Sequence, residues 1–479
     1  MPSSPLTLRT KLFYGFGSVA FGVKDNGFAF LLLLYYNQVL GLPERWVGLG
    51  IMVALIVDAV LDPMVGYLSD HLHSRWGRRH PFMYASALPV ALSYYLLWAP
   101  PAGLSQHELL FYFIAVAILV RVFISFYEIP SASLAAELTD EYNQRTSVLG
   151  FRFFFGWWGG LTMSVLAFAV FLQPDATHTV GVLNSTGYRS YGLVSSLIMA
   201  FAIVVSAAGT HSHIPHLRQP PAKRSLGWAA VLGEVRETLS NPSFLALFGV
   251  GFFSAMAAGL TAALNVYFTT FFWELSSNQI SILVVANFAS AAAALALAPR
   301  LSERYGGKKP AAMRTAIAAG ALGPAAMILR LLGLFPANGS AVLLPILLIG
   351  NTVVVTLIIL ASILVSSMMA DVVEDSELTT GRRSEGLFFA ANAFMQKSVS
   401  GVGIFASTVL LNTIGFPRGA KPGEVDPHVV RQLGLIYIVA ILLLYLGSLY
   451  FLTKYRISRA SHEANLALLS RRSDTTDES

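Results

Sequence analysis

The chain of 479 residues contains no cysteine. That absence excludes a disulfide framework, a thiolate metal centre and a thiol nucleophile together. Charge is scarce as well: Asp, Glu, Lys and Arg make up 12% of the residues, where an ordinary soluble domain has about 25%. Hydrophobic residues reach 55% and mean hydropathy is +0.62. So few charges do not cover a water-facing surface, and the composition points to an integral membrane protein. Enzyme signatures are missing too. There is no Gly-x-x-x-x-Gly-Lys-Ser/Thr phosphate loop, no His-Glu-x-x-His zinc pair and no Gly-x-Ser-x-Gly nucleophile elbow. An enzyme is therefore not expected. His71, His73, His80, His211, His213 and His216 fall in or beside loops and read as loop residues, not as metal ligands.

What is present is a series of apolar runs. Crossing about 30 Å of hydrocarbon takes about 20 such residues, and twelve runs qualify. Six lie at 12–40, 47–68, 81–98, 109–135, 148–172 and 191–208, and six more at 244–272, 280–298, 311–332, 343–369, 386–411 and 432–452. The expected fold class is an all-α membrane protein of twelve transmembrane helices. Its division is a first six-helix bundle (1–210), a polar, proline-bearing linker (211–242) with a surface helix at 226–239, a second six-helix bundle (243–453) and a polar tail (454–479). The opening "MPSSPLTLRTK" runs straight into the first apolar run without a small-residue cleavage site, so that helix is expected to stay.

With both termini cytoplasmic, most loop arginines and lysines fall on the inner side, and only Arg45, Arg189, Arg418, Lys421 and Arg431 on the outer. That asymmetry sets the expected orientation and explains the net charge of +6 without nucleic acid. One basic loop occurs twice. "YLSDHLHSRWGRRHP" after the second run matches "PRLSERYGGKKP" after the eighth: Leu-Ser, an acid, then Arg, Gly, two basic residues and Pro. Repeats at corresponding places in two six-helix halves indicate a transporter of two related bundles with its substrate site between them. Here the sequence resembles the major facilitator superfamily, whose loop between the second and third helices carries such a motif.

Charge placed deep in apolar runs marks function by default. Asp58 and Asp62 stand one turn apart on one helix face. Pro63 lacks the N–H that would bond the carbonyl of Ala59, freeing that oxygen beside both acids. Two carboxylates and a loosened carbonyl suit a hard cation such as sodium, and an acid pair also suits a proton. Lys397 on the eleventh run is an available positive partner. The remaining deep charges are Lys24, Asp25, Arg121, Glu128 and Arg152. Arg121 and Glu128, seven residues apart on one helix face, read equally as a local structural pair or as functional charges.

The segments "KDNGFAF", "VDAVLDP", "YEIPSASL", "FRFFFGWWGG", "ADVVEDSELTTGRRSEG" and "MQKSVSG" together resemble the glycoside-pentoside-hexuronide:cation symporters, typified by melibiose permease. The resemblance implies a cation-coupled (Na+ or H+) symporter of a sugar or glycoside, working by alternating access as a monomer in the plasma (inner) membrane. It implies cation binding at Asp58 and Asp62, with Glu128 as a third carboxylate. It further implies substrate binding at Lys24, Asp25, Glu128, Arg152 and Lys397. No cofactor beyond the coupling ion, and no partner beyond substrate and bilayer, is expected. The pattern departs in two places: Glu128 stands where the melibiose branch has aspartate, and Ala132 where the family has tryptophan. Trp157, Trp158 or Tyr127 would have to supply another aromatic platform. The loss of the tryptophan also fits the related sodium-dependent lysophospholipid symporters, the alternative reading. Finally, Asp70, Arg75, Arg78 and Arg79 in one half, and Glu303, Arg304, Asp371, Glu374, Asp375, Arg382 and Arg383 in the other, supply complementary charges for a cytoplasmic gate.

Overall fold

The computed structural model describes residues 6–139, 142–216, 240–380, 385–461 and 465. The expected surface helix at 226–239 and the gate residues Arg382 and Arg383 lie outside them. Among the described residues every regular element is a helix. In chain order these are α1 (Leu8–Val39), α2 (Glu44–His71), α3 (His80–Trp98), α4 (Gln106–Leu138), α5 (Tyr142–Leu166), α6 (Ser185–Thr210), α7 (Pro242–Tyr267), α8 (Ser277–Arg304), α9 (Lys308–Leu331), α10 (Leu343–Thr380), α11 (Glu385–Thr413) and α12 (Pro427–Lys454). Eleven of them are long and apolar enough to cross a membrane among the described residues. The remaining helix is α3, where the expected 81–98 run forms 19 helical residues whose tyrosines, serines and two prolines dilute its apolarity.

Caps set several boundaries. Ser105 Oγ accepts from Glu108 N (3.4 Å) while the Glu108 carboxylate accepts from Ser105 N (2.8 Å), a reciprocal box that starts α4. Asn184 accepts from Gly187 N (3.0 Å) and starts α6. The expected continuous ninth helix is interrupted: it stops at Leu322 and resumes at Ala325. Pro324 is the cause, since it donates no hydrogen bond into the preceding turn. Helix α1 widens to looser turns at Gly27–Leu31 and Tyr35–Val39, just beyond Lys24 and Asp25.

The chain forms two compact units. The first contains Met1–Ala222, Gly259–Val285 and Ile404–Val430. Within it α1 and α5 meet backbone to backbone: a Cβ on Gly22 would lie 1.9 Å from the Gly156 carbonyl oxygen, and one on Gly160 2.6 Å from that of Gly22. Small residues let two membrane helices approach this closely, which accounts for the glycines of "FRFFFGWWGG". An aromatic cluster of Tyr35, Tyr36, Trp98, Tyr188 and Tyr191 packs α1 on α3 and α6, with the Tyr35 and Tyr36 hydroxyls donating to the carbonyls of Trp98 (3.0 Å) and Leu97 (2.8 Å). The same unit holds a buried polar knot. Tyr267 donates to Asn37 Oδ1 (2.7 Å), as does Gln38 (2.8 Å), and Asn37 Nδ2 donates to Leu42 O (2.9 Å) and Glu44 Oε2 (3.3 Å).

The second unit contains Lys223–Ala258, Ala286–Gly403 and Arg431–Ser479. Its core is apolar, built from Phe244, Leu247, Leu360, Met368, Val372, Phe388, Leu452 and Tyr455.

Candidate functional site

The deep charges of the first unit come together on α1, α2, α4 and α5. The packing of α2 on α4 brings Asp58 and Asp62 against Ser125. Ser125 Oγ lies 2.9 Å from Asp58 Oδ1 and 2.8 Å from Asp62 Oδ1. A hydroxyl carries one proton, so one hydrogen is shared between two carboxylate oxygens. Asp58 is buried at 1% exposure. Its other oxygen accepts from Arg121 Nη1 at 3.3 Å.

Arg121 sits one turn before Ser125 on the same face of α4. Its Nη1 is also 3.6 Å from Asp25 Oδ1, and its guanidinium carbon lies 4.3 Å from the centre of the Phe28 ring. Arg121 thus has partners across helices, on α2 and α1. Seven residues are two turns, about 10 Å along a helix axis, and a neighbouring helix is closer.

On the α1 side, buried Lys24 directs Nζ to Asp25 Oδ1 (2.8 Å) and Glu128 Oε2 (3.4 Å). Arg152 Nη1 donates to Ser131 Oγ (2.8 Å) and Nη2 to the Glu128 carbonyl (3.1 Å), while the guanidinium stacks 4.7 Å over Phe21. The glycine seam between α1 and α5 is what brings Lys24, Asp25 and Arg152 to one level. The bases are buried and the acids of this half are wet: the Asp25 side chain is 54% exposed and that of Glu128 21%. Ala132, four residues on from Glu128, is exposed. The result is a face with solvent-accessible acceptors in front and buried donors behind.

Among the described residues no group of three or more His, Asp or Glu side chains is arranged to hold a metal ion. The carboxylate of Glu128, the expected third one, meets Lys24 Nζ at 3.4 Å. The third oxygen beside that pair belongs to Ser125, a residue that sequence reasoning missed because a serine in an apolar helix is unremarkable. Tyr127 does not offer an aromatic platform either, since it is fully buried against Gly17 and Ser206. Trp157 and Trp158 remain 49% and 40% exposed. Lys397 lies on α11 in the second unit, partly buried.

The charged loops form a network within each unit. In the first, Arg79 pairs with Asp70 and with Glu137 (2.9 Å), and Arg78 pairs with Glu137 (2.9 Å). Glu137 was not foreseen. Arg75 instead stacks on Trp76 at 5.6 Å. In the second unit Asp371 takes Lys308 (2.5 Å), another unforeseen partner, and Asp375 accepts from Asn241 (3.1 Å). Glu303 and Arg304 are exposed at the end of α8, and Glu374 is partly buried.

Comparison with known proteins identifies the family. The chain is 26% identical to an uncharacterized symporter, sll1374, of Synechocystis sp., over 89% of each chain. It is 23% identical to the putative glycoside/cation symporter YagG of Escherichia coli, covering 96% of this chain and 94% of that one. It is 22% identical to the sodium-dependent lysophosphatidylcholine symporter 1-A of Danio rerio, covering 99% and 91%. Its fold is similar to that of the xylose transporter XylE from E. coli in an inward-open conformation, with a TM-score of 0.59, 15% identity and coverage of 91% and 94%. These are transporters, not enzymes, and symporters of this kind couple a small molecule to a cation. With residues 13–459 matching its family model, the multi-pass membrane chain belongs to the MFS/sugar transport protein family.

Proposed function

We propose that the protein is a secondary active symporter that carries a sugar or glycoside inward with a monovalent cation, sodium or a proton, by alternating access. The observation that carries this reading is one connected polar network that runs from buried Asp58 to exposed Asp25. At one end, Asp58, Ser125 and Asp62 offer oxygens to a cation. At the other, Asp25 and Glu128 offer acceptors, and the Arg152 fork beside them supplies donors. Polyols match that mixture through charge-assisted hydrogen bonds. Lys24 sets the acids from behind, and Lys397 on α11 is a further proposed substrate-binding residue. The two bundles are 1–210 and 243–453, joined by 211–242, in a monomer of the plasma membrane with both termini cytoplasmic. Asp70, Arg75, Arg78 and Arg79, and Glu303, Arg304, Asp371, Glu374, Asp375, Arg382 and Arg383, are the gate charges. The exposed pairs among them are worth about 0 to 1 kcal/mol each, so those act only as a network.

A second reading, sodium-dependent lysophospholipid symport, is favoured by Ala132, which leaves apolar room where an aromatic ring would stack. The exposed carboxylates weigh against it, because desolvating them beside an acyl chain costs energy without return. Proteoliposome uptake with an imposed sodium or pH gradient decides between them. The expected result is gradient-driven accumulation of one or more 4-nitrophenyl glycosides or uronides, abolished by Asp58→Asn. Uptake of lysophosphatidylcholine and of no glycoside would replace the sugar reading.

A further inference from the structure

We infer that Arg121 ties the cation site to the substrate site: sodium entering at Asp58 and Asp62 displaces its guanidinium from Asp58, and the displaced fork donates to a glycoside hydroxyl beside Asp25. The inference rests on the symport reading above and takes sodium as the coupling ion.

Four features of Arg121 point this way. First, it is shared: one nitrogen, Nη1, lies 3.3 Å from Asp58 and 3.6 Å from Asp25. Good charge-assisted bonds run at about 2.7–2.9 Å, so neither acid holds it at its optimum and a small shift favours one over the other. Second, it is under-satisfied. Arg121 Nε is buried and has no hydrogen-bond partner, and a buried N–H without an acceptor is costly. A guanidinium moved toward the exposed Asp25 side chain finds that acceptor in a substrate hydroxyl. Third, it has a pivot. The face of Phe28, 4.3 Å from the guanidinium carbon, holds the charge by cation–π attraction in a place where the plane can still turn. Fourth, it is a built-in rival. A sodium ion bound by Asp58 has the same sign as Arg121 and draws on the same carboxylate, so the two oppose each other at short range.

Asp25 does not lose its support when Arg121 shifts, because Lys24 stays 2.8 Å from the same oxygen. The linkage is reciprocal: whatever factor sodium adds to glycoside binding, the glycoside adds to sodium binding. Arg121 is therefore a positioning residue for cation binding and a donor to substrate only in the loaded state. A merely structural Arg121 would steady α1, α2 and α4 and leave the coupling factor alone.

The test uses the purified full chain in nanodiscs, with 22Na+ and the 4-nitrophenyl glycoside that the wild type takes up best. The coupling factor is the ratio of glycoside Kd without sodium to that with saturating sodium. For the wild type it should fall in the range of roughly 5- to 150-fold typical of linked sites. In Arg121→Gln it should fall to about 1, with 22Na+ bound as tightly as before or more tightly, since the rival cation is gone. Arg121→Lys keeps the charge without the fork and should give an intermediate factor; if Arg121→Gln does not fold, this variant decides the matter. A wild-type coupling factor in Arg121→Gln, or in a well-folded Arg121→Lys when that variant is the one available, overturns the role of Arg121 while symport stands. A wild type that binds no 22Na+ also overturns it, and glycoside uptake driven by a pH gradient would then leave symport intact. Uptake with neither gradient removes both.

Discussion

Gly22→Ala is the sharpest probe of how the fold builds the site. The new methyl carbon would lie 1.9 Å from the carbonyl oxygen of Gly156, 2.9 Å from its carbonyl carbon and 3.2 Å from the nitrogen of Gly160. All three neighbours are backbone, so no side chain can turn aside. To restore a normal contact α1 and α5 must part locally by roughly 1.5 Å, and overpacking of this kind costs about 1–3 kcal/mol. The next half-turn of α1 carries Lys24 and Asp25, while α5 carries Arg152. Widening the seam stretches the 4.7 Å contact of Arg152 with the Phe21 ring of α1 and shifts Lys24 and Asp25 from their places beside Arg152. The melting temperature in detergent should therefore drop by several degrees, and gradient-driven uptake should fall with it. Gly150→Ala is the control: it lies on α5, the facing helix, with nothing within 4 Å of the added carbon. It should be neutral or stabilising by up to about 1 kcal/mol. If Gly22→Ala melts and transports like the wild type, α1 and α5 are not in backbone contact and the reasoning fails.

Three further outcomes are expected. Tyr267→Phe removes the 2.7 Å donor to Asn37 Oδ1 from the buried knot; as Gln38 still donates there, the loss should be about 1 kcal/mol, read as a lower melting temperature. Arg79→Ala should cost about 1–3 kcal/mol, because Glu137 is buried and keeps only Arg78 of its two arginines, whereas Asp70→Asn, on the exposed side of the same cluster, should cost about 0 to 1 kcal/mol; paired melting curves compare them. Asp175, in the loop before α6, has its carboxyl held below the usual range by hydrogen bonds from the Thr177 hydroxyl, the backbone N–H of His178 and other loop donors. Its contribution is complete above the ordinary aspartate pKa of about 3.9 and is lost as the pH falls through its depressed value, so the melting difference between wild type and Asp175→Asn should be constant near neutrality and shrink in acid.

Much of the site was legible because an ionisable residue inside an apolar run is conspicuous. Lys24, Asp25, Asp58, Asp62, Glu128 and Arg152 stood out on that ground alone, and the structure assembles all six in one unit. What stayed hidden was pairing across helices. Arg121 was visible as a charge but not as a neighbour of Asp58, since that depends on how α2 packs on α4. Ser125 carries no signal at all, because a hydroxyl in a membrane helix commonly bonds its own backbone. Tyr127 looked like a stacking ring until packing buried it. The break in α9 was hidden for another reason: apolarity continues through Gly323 and Pro324, and hydropathy reports apolar content, not the missing N–H of proline. The glycines of "FRFFFGWWGG" were noticed as a family pattern, while their physical role, a backbone seam with α1, needed the facing helix.

The network also bears on coupling under the proposed symport. Asp58 and Asp62 lie within hydrogen-bonding distance of the same Ser125 hydroxyl, which carries one proton for two carboxylate oxygens. A monovalent cation bound there would serve both oxygens at once. A sugar cannot do this, because it is uncharged and its hydroxyls suit the more exposed acceptors of Asp25 and Glu128. With the cation alone, those acceptors would be desolvated on closure without new partners. The cation thus serves the Asp58 end of the network and the sugar the Asp25 end, and occlusion with neither end left short of partners requires both.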